Sequence, residues 1–432
     1  MQFARKPASG LSVMIVGAGF AGLTAAIECD RKGHSVILFE SFPELKILGD
    51  IISFGPNSGR IFRRWEGVEQ QLDPICHRSD GVNFVTYKGE WLFKQYWEDE
   101  EDRFGKRFNG HRGEIHEIVF NHALARGIDI RLGHKVVDYF ETDDKAGVVV
   151  QTPDGEQRFT ADAVFAAEGV RSPARKIVLG YEDKPKSSGY AVYRSWFKSE
   201  NLKSPLTDHL WKNGDRHYAW IGPDVHFLAA SLKNGKDFSW VCTHKDEADI
   251  EDSWSTPGYI EDCLKVVEGW DPVVQEIVKA TPTDYLVDWK LIYRDPLPTW
   301  VSPKGRIALI GDAAHPFLPT SIQGASQAME DGVTLAVCLE KCQGRSKDKS
   351  KVPEALRAYQ RIRYDRVLRA QKTGETTRDK WHKADFEKVK QNPQLVRLDR
   401  PEWLLNFDAE EHAYKVYDDV VREMNKESQA KL

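Results

Sequence analysis

The sequence predicts an α/β protein in which a parallel-sheet domain is interrupted by a mostly antiparallel lobe and followed by a C-terminal helical extension. The first observation is the N-terminal order of an apolar strand (Leu11–Val16), a glycine-rich turn, a helix (Phe20–Asp30) and a second apolar strand (Ser35–Phe39). The second is a change in the hydrophobic pattern between residues 188 and 245, where short runs of alternating apolar and polar residues are separated by turn residues. The third is the return of a buried-strand pattern at Arg306–Ile310, which leads into a turn and a helix.

Chain length and charge narrow the class of protein. With 432 residues the chain is too long for one compact core, and two interlocked domains are expected. A net charge of −5 gives no reason to expect a nucleic-acid partner. The basic stretch Arg357–Arg369 has a helical spacing that predicts a solvated face rather than a nucleic-acid site.

Neither a membrane segment nor a targeting segment is expected. The longest apolar runs are strand-length, well below the roughly 18 residues of a spanning helix. Residues 1–10 lack the apolar core of a signal peptide. The six cysteines form no CxxC pair and no metal-like spacing, which predicts reduced thiols and no metal centre. These features together predict a cytoplasmic protein.

The strongest local motif follows directly on the first strand and reads Gly-Ala-Gly-Phe-Ala-Gly over residues 17–22. Gly17 permits a tight turn, Gly19 lets the backbone approach a pyrophosphate, and Gly22 lets the helix pack closely on the strand. The helix N-terminus offers its amides to phosphate groups. Glu40 ends the next strand, where its carboxylate can accept hydrogen bonds from an adenosine ribose. The motif predicts a dinucleotide site, and its context disfavours an ordinary glycine turn.

A second motif, Gly-Asp-Ala-Ala-His-Pro over residues 311–316, follows the later buried strand. Asp312 lies beside small residues at the end of that strand, where a carboxylate can hold the ribityl hydroxyls of a flavin. The helix that begins near Gln323, with Gly324 and Ala325 directly after it, can point its N-terminal amides at the isoalloxazine carbonyl and favour the anionic reduced ring. Taken alone, residues 311–316 also fit a helix cap and a tight turn.

Together these motifs resemble the class A flavoprotein monooxygenases, which share the p-hydroxybenzoate hydroxylase and salicylate hydroxylase fold. The resemblance covers nearly the whole chain and includes the strand Ala161–Ala167 with the Glu-Gly pair that follows it. It implies a Rossmann-like FAD-binding domain, FAD as cofactor, NADPH or NADH as a transient co-substrate, and O2. It also implies that Arg112 contacts the FAD and that Asp312 binds the ribityl chain, and we add Gly49 to the predicted cofactor site. Without the resemblance, Arg112 is a cation at a helix start.

Three positions depart from the family pattern. Glu168 stands where the family has aspartate, which keeps the charge on a longer arm. Ile322 stands where the family has the first glycine of Gly-Gln-Gly, which adds bulk beside the flavin site and bears on flavin movement. Asp50 stands where many members carry a small residue.

A substrate site is predicted on the first long run of the antiparallel lobe. Strand alternation places Arg194 on one face with Tyr190, Val192 and Trp196. A cation on an aromatic and apolar face is costly unless it is paired or faces a cavity. In fungal members an arginine at the matching place is catalytic. The structural alternatives are an arginine paired with a carboxylate and, for Asp50, a plain loop residue.

Asp50 and Arg194 together are similar to the fungal indole monooxygenases of the paraherquamide and citrinadin type, which form spiro-oxindoles in alkaloid pathways. The predicted function is therefore oxygenation of an electron-rich aromatic small molecule, with indole 2,3-epoxidation and rearrangement to a spiro-oxindole. The first alternative is a phenol or salicylate-type hydroxylase. The others are a flavin dehydrogenase or oxidase without oxygen insertion, and a non-catalytic or reductase-like FAD binder.

The predicted domain limits follow the same textures. The FAD-binding domain is expected to be discontinuous and to comprise residues 1–75, 105–180 and 290–352. The substrate-binding domain is expected over residues 76–104 and 181–289. The C-terminal helical region is expected over residues 353–432 and to be polar.

Overall fold

The computed structural model describes residues 4–45, 49–152, 155–246, 256–343 and 348–430. The strands in these ranges, in chain order, are β1 (Ser12–Val16), β2 (Ser35–Phe39), β3 (Ile51–Phe54), β4 (Gly81–Thr86), β5 (Trp91–Tyr96), β6 (Phe108–His111), β7 (Asp129–Arg131), β8 (Lys135–Glu141), β9 (Ala146–Thr152), β10 (Gly155–Ala161), β11 (Ala163–Ala166), β12 (Lys186–Lys198), β13 (His217–Gly222), β14 (Val225–Leu232), β15 (Asp237–Lys245), β16 (Thr256–Pro257), β17 (Val287–Tyr293) and β18 (Ile307–Leu309).

The α-helices of the same ranges, in chain order, are α1 (Phe20–Arg31), α2 (Pro56–Arg64), α3 (Val68–Leu72), α4 (Glu98–Phe104), α5 (Arg112–Ala125), α6 (Ala174–Leu179), α7 (Ile260–Val266), α8 (Pro272–Lys279), α9 (Gly324–Gln343), α10 (Val352–His382), α11 (Phe386–Gln391), α12 (Glu402–Leu405) and α13 (Ala409–Gln429). None of these helices is both long enough and apolar enough to cross a membrane.

A five-stranded parallel sheet carries the N-terminal motif. Its strand order is β18-β11-β1-β2-β7, and Met14 of the central strand pairs with Val164 on one side and Ile37 on the other. Its β-branched and aromatic side chains are buried on both faces, which is typical of parallel sheets. The predicted strands of both motifs lie in this sheet, so the expected α/β fold is confirmed.

The antiparallel lobe is an eight-stranded sheet in the order β16-β17-β12-β15-β14-β13-β4-β5. All neighbouring strands are antiparallel except β13 and β4. One face packs against α7 and α8 through buried Trp220, Phe227 and Trp240. The sheet draws its strands from two separate segments of the chain. The predicted domain limits stay a prediction, although β17 continues to Tyr293, past the expected boundary.

A short antiparallel ribbon of β3 and β6 stands apart from these sheets. Ile51 pairs with His111, and Ser53 pairs with Asn109. The strands β8, β9 and β10 form a further antiparallel sheet in the order β10-β9-β8. The ribbon matters for function because it ends at Arg112, the first residue of α5.

The C-terminal region is more buried than the sequence predicts. Arg363 of α10 is 1% exposed and pairs with Glu330 and Asp331 of α9, so the expectation of a solvated basic face on this helix is wrong at that position. The spacing of charges along a helix does not reveal which of them meet carboxylates on a neighbouring helix. The expected polar tail also buries apolar side chains against the eight-stranded sheet, among them Trp381 and Leu398.

Candidate active site

The glycine turn between β1 and α1 combines two packed glycines with one open glycine. Gly17 has a φ of +98°, and a Cβ there would lie 2.6 Å from the carbonyl oxygen of Ala167. A Cβ on Gly22 would lie 1.9 Å from the carbonyl oxygen of Gly17. Gly19 has an ordinary φ of −72° and no atom within 4 Å of the Cβ position. Open space therefore lies in front of the N-terminus of α1, where the first amides lack helical partners.

Glu40 fixes the shape of this turn. Its carboxylate accepts hydrogen bonds from the amide of Ala18 at 2.8 Å and the amide of Phe42 at 2.9 Å. The sequence predicts contact with a ribose, and the structure adds that Glu40 holds the loop beside Gly19. A carboxylate has about four acceptor positions, so capacity remains for ribose hydroxyls.

Arg112 and Asp312 carry opposite charges, and their side chains reach the same recess. Neither side chain has a hydrogen-bond partner among the described residues, although each influences the other electrostatically. Asp312 is exposed to solvent, yet protein atoms crowd around its carboxylate closely enough that desolvation raises its pKa. Two unpaired charges of this kind are available to a ligand that supplies both acceptors and hydroxyl donors.

Asp331 positions the turn that carries Asp312, and sequence reasoning did not assign it this task. Its carboxylate accepts hydrogen bonds from the amide of Gly311 at 2.9 Å, from Nε2 of His315 at 2.6 Å and from Nε of Arg363 at 2.9 Å. Burial alone would raise the pKa of Asp331, but His315 and Arg363 lower it overall, so the carboxylate stays ionised.

The two family departures near this recess have different environments. Glu168 follows β11, accepts hydrogen bonds from the hydroxyls of Tyr139 and Ser172, and has a pKa raised to about 7 by desolvation. Ile322 lies just before Gly324 and Ala325 at the start of α9, with a φ of +54°. That left-handed conformation is the one for which glycine carries no steric cost, whereas a β-branched residue is strained in it.

Asp50 and Arg194 form an ion pair. Nη1 of Arg194 donates to both carboxylate oxygens of Asp50 at 3.0 Å, and the guanidinium lies 3.8 Å from the ring centre of Trp289. Burial lowers the pKa of Arg194 while Asp50 opposes the shift, and an arginine stays cationic at neutral pH. Nε and Nη2 of Arg194 have no acceptor among the described residues, so the guanidinium keeps donors for a ligand.

Arg194 lies in a row of cross-strand neighbours that runs along the open face of the eight-stranded sheet. In register, Arg194 pairs with Val241, Val241 with Leu228, Leu228 with Ala219, and Ala219 with Phe84. Side chains of such neighbours share one face of a sheet. Two strand spacings, about 10 Å, separate Arg194 from Leu228.

A pocket with about 510 Å³ of atom-free space, partly open to solvent, lies on this face. Most of its wall is apolar or aromatic, as is usual for small-molecule sites. The apolar lining comprises Phe54, Val82, Phe84, Trp97, Ala219, Leu228, Ile322, Trp381 and Leu398. The polar lining comprises Ser53, Arg107, Asn109, His217 and Arg400.

The β3–β6 ribbon connects this pocket to the glycine turn. Ser53 and Asn109, which are cross-strand partners, line the pocket, while the ring of His111 lies 4.7 Å from that of Trp196 on the sheet. At the other end, the amide of Arg112 donates to the carbonyl oxygen of Asp50 at 2.9 Å. The predicted cofactor residue and the predicted substrate residue therefore share a backbone hydrogen bond.

The arrangement fits FAD as judged from the protein alone. The open space at Gly19, the amides of α1 and the unpaired Arg112 suit a pyrophosphate, and the unpaired Asp312 suits a polyol. Comparison with known proteins agrees, because residues 10–372 match the protein family described as FAD binding domain. The chain belongs to this family.

Relatives extend the assignment to an enzyme class. Asperlicin C monooxygenase of Petromyces alliaceus is 36% identical over 428 residues, which cover 96% of this chain and 89% of the relative. The crystal structure of CtdE with FAD and a substrate superposes with a TM-score of 0.88 at 35% identity, covering 96% of this chain and 100% of the other. A salicylate hydroxylase substrate complex gives 0.77 at 25% identity, covering 94% and 98%. The protein is an FAD-dependent monooxygenase, and the predicted enzyme class and cofactor are confirmed.

The monooxygenase brings most of its predicted site residues into two groups. The glycines, Glu40, Arg112 and Asp312 surround one recess, and Asp50 and Arg194 pair about two strand spacings from Leu228 of the pocket. The polar pocket residues Arg107 and Arg400 were missed. No motif surrounds them, and Arg400 lies in the tail that was expected to be helical and polar.

Proposed function

We propose that this monooxygenase oxygenates an electron-rich aromatic substrate, an indole at its 2,3 bond, and guides rearrangement to a spiro-oxindole. The observation that carries the proposal is the Asp50–Arg194 pair, which stacks on Trp289 and shares a sheet face with an aromatic pocket. Apolar walls favour a flat aromatic ring, while the pair supplies a fixed carboxylate and a fixed guanidinium on the same side of the sheet, about two strand spacings from Leu228 of the pocket.

The cofactor residues follow from the same recess. We assign Gly17, Gly19, Gly22, Glu40, Gly49, Arg112, Asp312, Gly324 and Ala325 to FAD. When bound and reduced by NADPH or NADH, FAD activates O2 and supplies one electrophilic oxygen atom. Because the chain has one glycine fingerprint, the nicotinamide is expected to bind transiently.

The protein's own residues bind, orient and exclude water. The part of the pocket wall that lies towards the pair, which includes Leu228, holds the ring and keeps water from the reacting carbons. Asp50 accepts a hydrogen bond from the indole N–H and stabilises positive charge that develops on the ring. Arg194 donates through Nε or Nη2 to the oxygen as it gains negative charge.

The overall reaction balances with one reductant. One oxygen atom enters the substrate and the other leaves as water, for which NAD(P)H provides two electrons as a hydride and the solvent provides a proton. In the epoxide the C3–O bond then breaks, and the C2 substituent moves to C3 with its bonding electron pair. C2 becomes the carbonyl carbon of the oxindole, so this second stage is an isomerisation that consumes nothing further.

The test is product analysis under 18-O2 with a panel of indoles and phenols, for the wild-type enzyme, Asp50→Ala and Arg194→Ala. Both variants should retain FAD and lose at least about tenfold in coupled product, with reducing equivalents diverted to hydrogen peroxide. Lys198→Ala is the matched control, because Lys198 lies on the same strand and its exposed side chain pairs with Asp237.

Three outcomes decide between the candidates. Wild-type coupling in both variants removes the pair from the chemistry. Labelled phenols with inert indoles select the salicylate-type hydroxylase, which the likeness to a salicylate hydroxylase favours as runner-up. Substrate oxidation without 18-O in the product selects a dehydrogenase or oxidase.

A further inference from the structure

The polar end of the pocket contains a buried guanidinium whose charge is poorly matched. The side chain of Arg107 is 8% exposed, and the nearest carboxylate oxygen among the described residues, on the half-exposed Glu101, is 3.9 Å away. Its one hydrogen bond within the described residues is a long one of 3.4 Å to the carbonyl oxygen of Ser79. Most of the five N–H donors of Arg107 therefore lack acceptors.

The neighbouring groups do not supply the missing acceptor. Arg400 adds a second positive charge, and its own partner Glu100 is committed to it by two hydrogen bonds of 2.8 and 2.5 Å. His217 is neutral because burial lowers its pKa well below the usual value. Burial, followed by the nearby Arg400, lowers the pKa of Arg107 to about 9, so the guanidinium remains charged at neutral pH.

A second unpaired donor lies beside Arg107. Trp97 is 5% exposed, lines the pocket, and stacks under the guanidinium at 4.0 Å. Its indole Nε1–H is buried without a hydrogen-bond partner in the described part of the chain. A buried donor without a partner is costly, so two adjacent ones in a pocket wall indicate a missing oxygen acceptor.

We infer that Arg107 and Trp97 form a subsite that binds a carbonyl or carboxylate oxygen of the aromatic substrate. This Arg107 subsite rests on the proposed function for the aromatic part of the ligand and adds a determinant of specificity to it. Asp50 and Arg107 lie at opposite ends of the β3–β6 ribbon. Their backbones are about five residues apart along it, roughly 16 Å. That backbone separation exceeds an indole ring, so the acceptor lies on a substituent of the ring rather than on the ring itself.

Binding to the FAD-loaded enzyme tests the subsite without turnover. Isothermal titration calorimetry would compare N-acetyltryptophan, N-acetyltryptophanamide and 3-methylindole, which share the indole ring and carry a carboxylate, neutral carbonyls or no oxygen acceptor. Wild type should bind at least one of the first two about tenfold more tightly than 3-methylindole. Preference for N-acetyltryptophan over its amide identifies a carboxylate, and equal binding of the two identifies a carbonyl.

Two variants and one control locate the effect. Arg107→Met and Trp97→Phe should each reduce the preference for the acceptor probes over 3-methylindole at least about threefold, and this ratio cancels any change in the apolar contact that the probes share. Arg103→Met removes an exposed guanidinium nearby and should change neither affinity. Trp97→Phe keeps an aromatic ring and removes the indole N–H donor. It therefore tests the subsite even if Arg107→Met loses flavin.

The inference is overturned if wild type does not prefer the acceptor probes, if it binds none of the three, or if both variants keep the wild-type preference. These results are separable from the 18-O2 experiment. An enzyme that labels indoles but shows no acceptor preference keeps the proposed function and loses the subsite. An acceptor preference without labelling keeps the subsite and loses the reaction.

Discussion

Gly17 and Gly19 lie two positions apart and meet different demands. Gly17 is required by the fold, because its φ is positive and a Cβ would approach the carbonyl oxygen of Ala167. Gly19 has an ordinary φ and open space around the Cβ position, so the folded chain places no such demand on it. A glycine that the fold does not need is conspicuous at the N-terminus of a helix, where Ser, Thr, Asp or Asn can cap.

Gly19→Leu should therefore separate cofactor binding from stability. The apoprotein variant is expected to unfold within about 0.5 kcal/mol of wild type, while flavin affinity falls at least tenfold because the side chain fills the pyrophosphate approach. Flavin absorbance after purification and urea unfolding of apoprotein measure the two quantities. Gly17→Ala is the contrast and should cost the apoprotein on the order of 2 kcal/mol. Full flavin content in Gly19→Leu would remove FAD from this turn.

Residues with a fixed role in a motif were predictable from the sequence, and residues that meet only in three dimensions were not. Arg112 and Asp312 lie beside recognisable turns, and Arg194 was found through strand alternation on an aromatic face. Arg107 and Trp97 come from a segment whose aromatic and acidic character matches no motif. Their shared environment depends on Arg400. This residue is hydrogen-bonded to Glu100, which lies 300 residues earlier in the sequence.

At the scale of elements, α9 and α10 are joined by charges rather than by an apolar seam alone. Arg363 bonds to Asp331 at 2.9 Å and also pairs with Glu330, and all three side chains are at most 1% exposed. Arg366 adds a further pair to Glu330 at 2.8 Å. Because Asp331 also holds the amide of Gly311, this network couples helix packing to the position of Asp312.

Asp331→Asn should be costly for this reason. Removing one partner of a buried ion pair leaves a charge poorly compensated, so we expect a loss of about 3 kcal/mol in the free energy of unfolding, together with weaker flavin retention. Glu427→Gln is the matched control. It breaks the pair between Glu427 of α13 and Arg361 of α10, the helix that also carries Arg363. Both side chains of this pair are more than half exposed, so the loss should be less than about 1 kcal/mol. Equal losses in the two variants would contradict a structural role for the buried network.

The elements themselves were largely predictable, whereas their assembly was not. The predicted strand Ser35–Phe39 is observed at the same residues, and the helix predicted from Phe20 ends one residue later than expected. Periodicity carries that information within a segment. The pairing of β4 with β13, and the packing of the tail over the sheet, depend on contacts between distant segments that no local pattern encodes.

At the scale of the whole molecule, one glycine fingerprint serves an enzyme that needs two nucleotides. Reduction of FAD by NAD(P)H should then depend on substrate, because a nicotinamide without a dedicated fold must reach the flavin through the same cleft. In anaerobic stopped-flow experiments, the rate of flavin reduction is expected to rise about tenfold or more when an indole that the 18-O2 experiment has shown to be oxygenated is bound. 3-Methylindole, if the 18-O2 experiment shows that it is not oxygenated, is the control for the effect of filling the pocket alone. Identical rates with and without substrate would argue for a permanent nicotinamide site.

The left-handed Ile322 has a consequence for how this enzyme can change over generations. Its backbone conformation costs a β-branched residue about 1–2 kcal/mol, and its side chain forms part of the pocket wall. Replacing it by glycine or asparagine removes volume from the wall and relieves strain in the same step. Most pocket-enlarging substitutions weaken a protein, so selection must first accumulate spare stability before tolerating them. Position 322 is a site where the range of accepted molecules can broaden without that reserve.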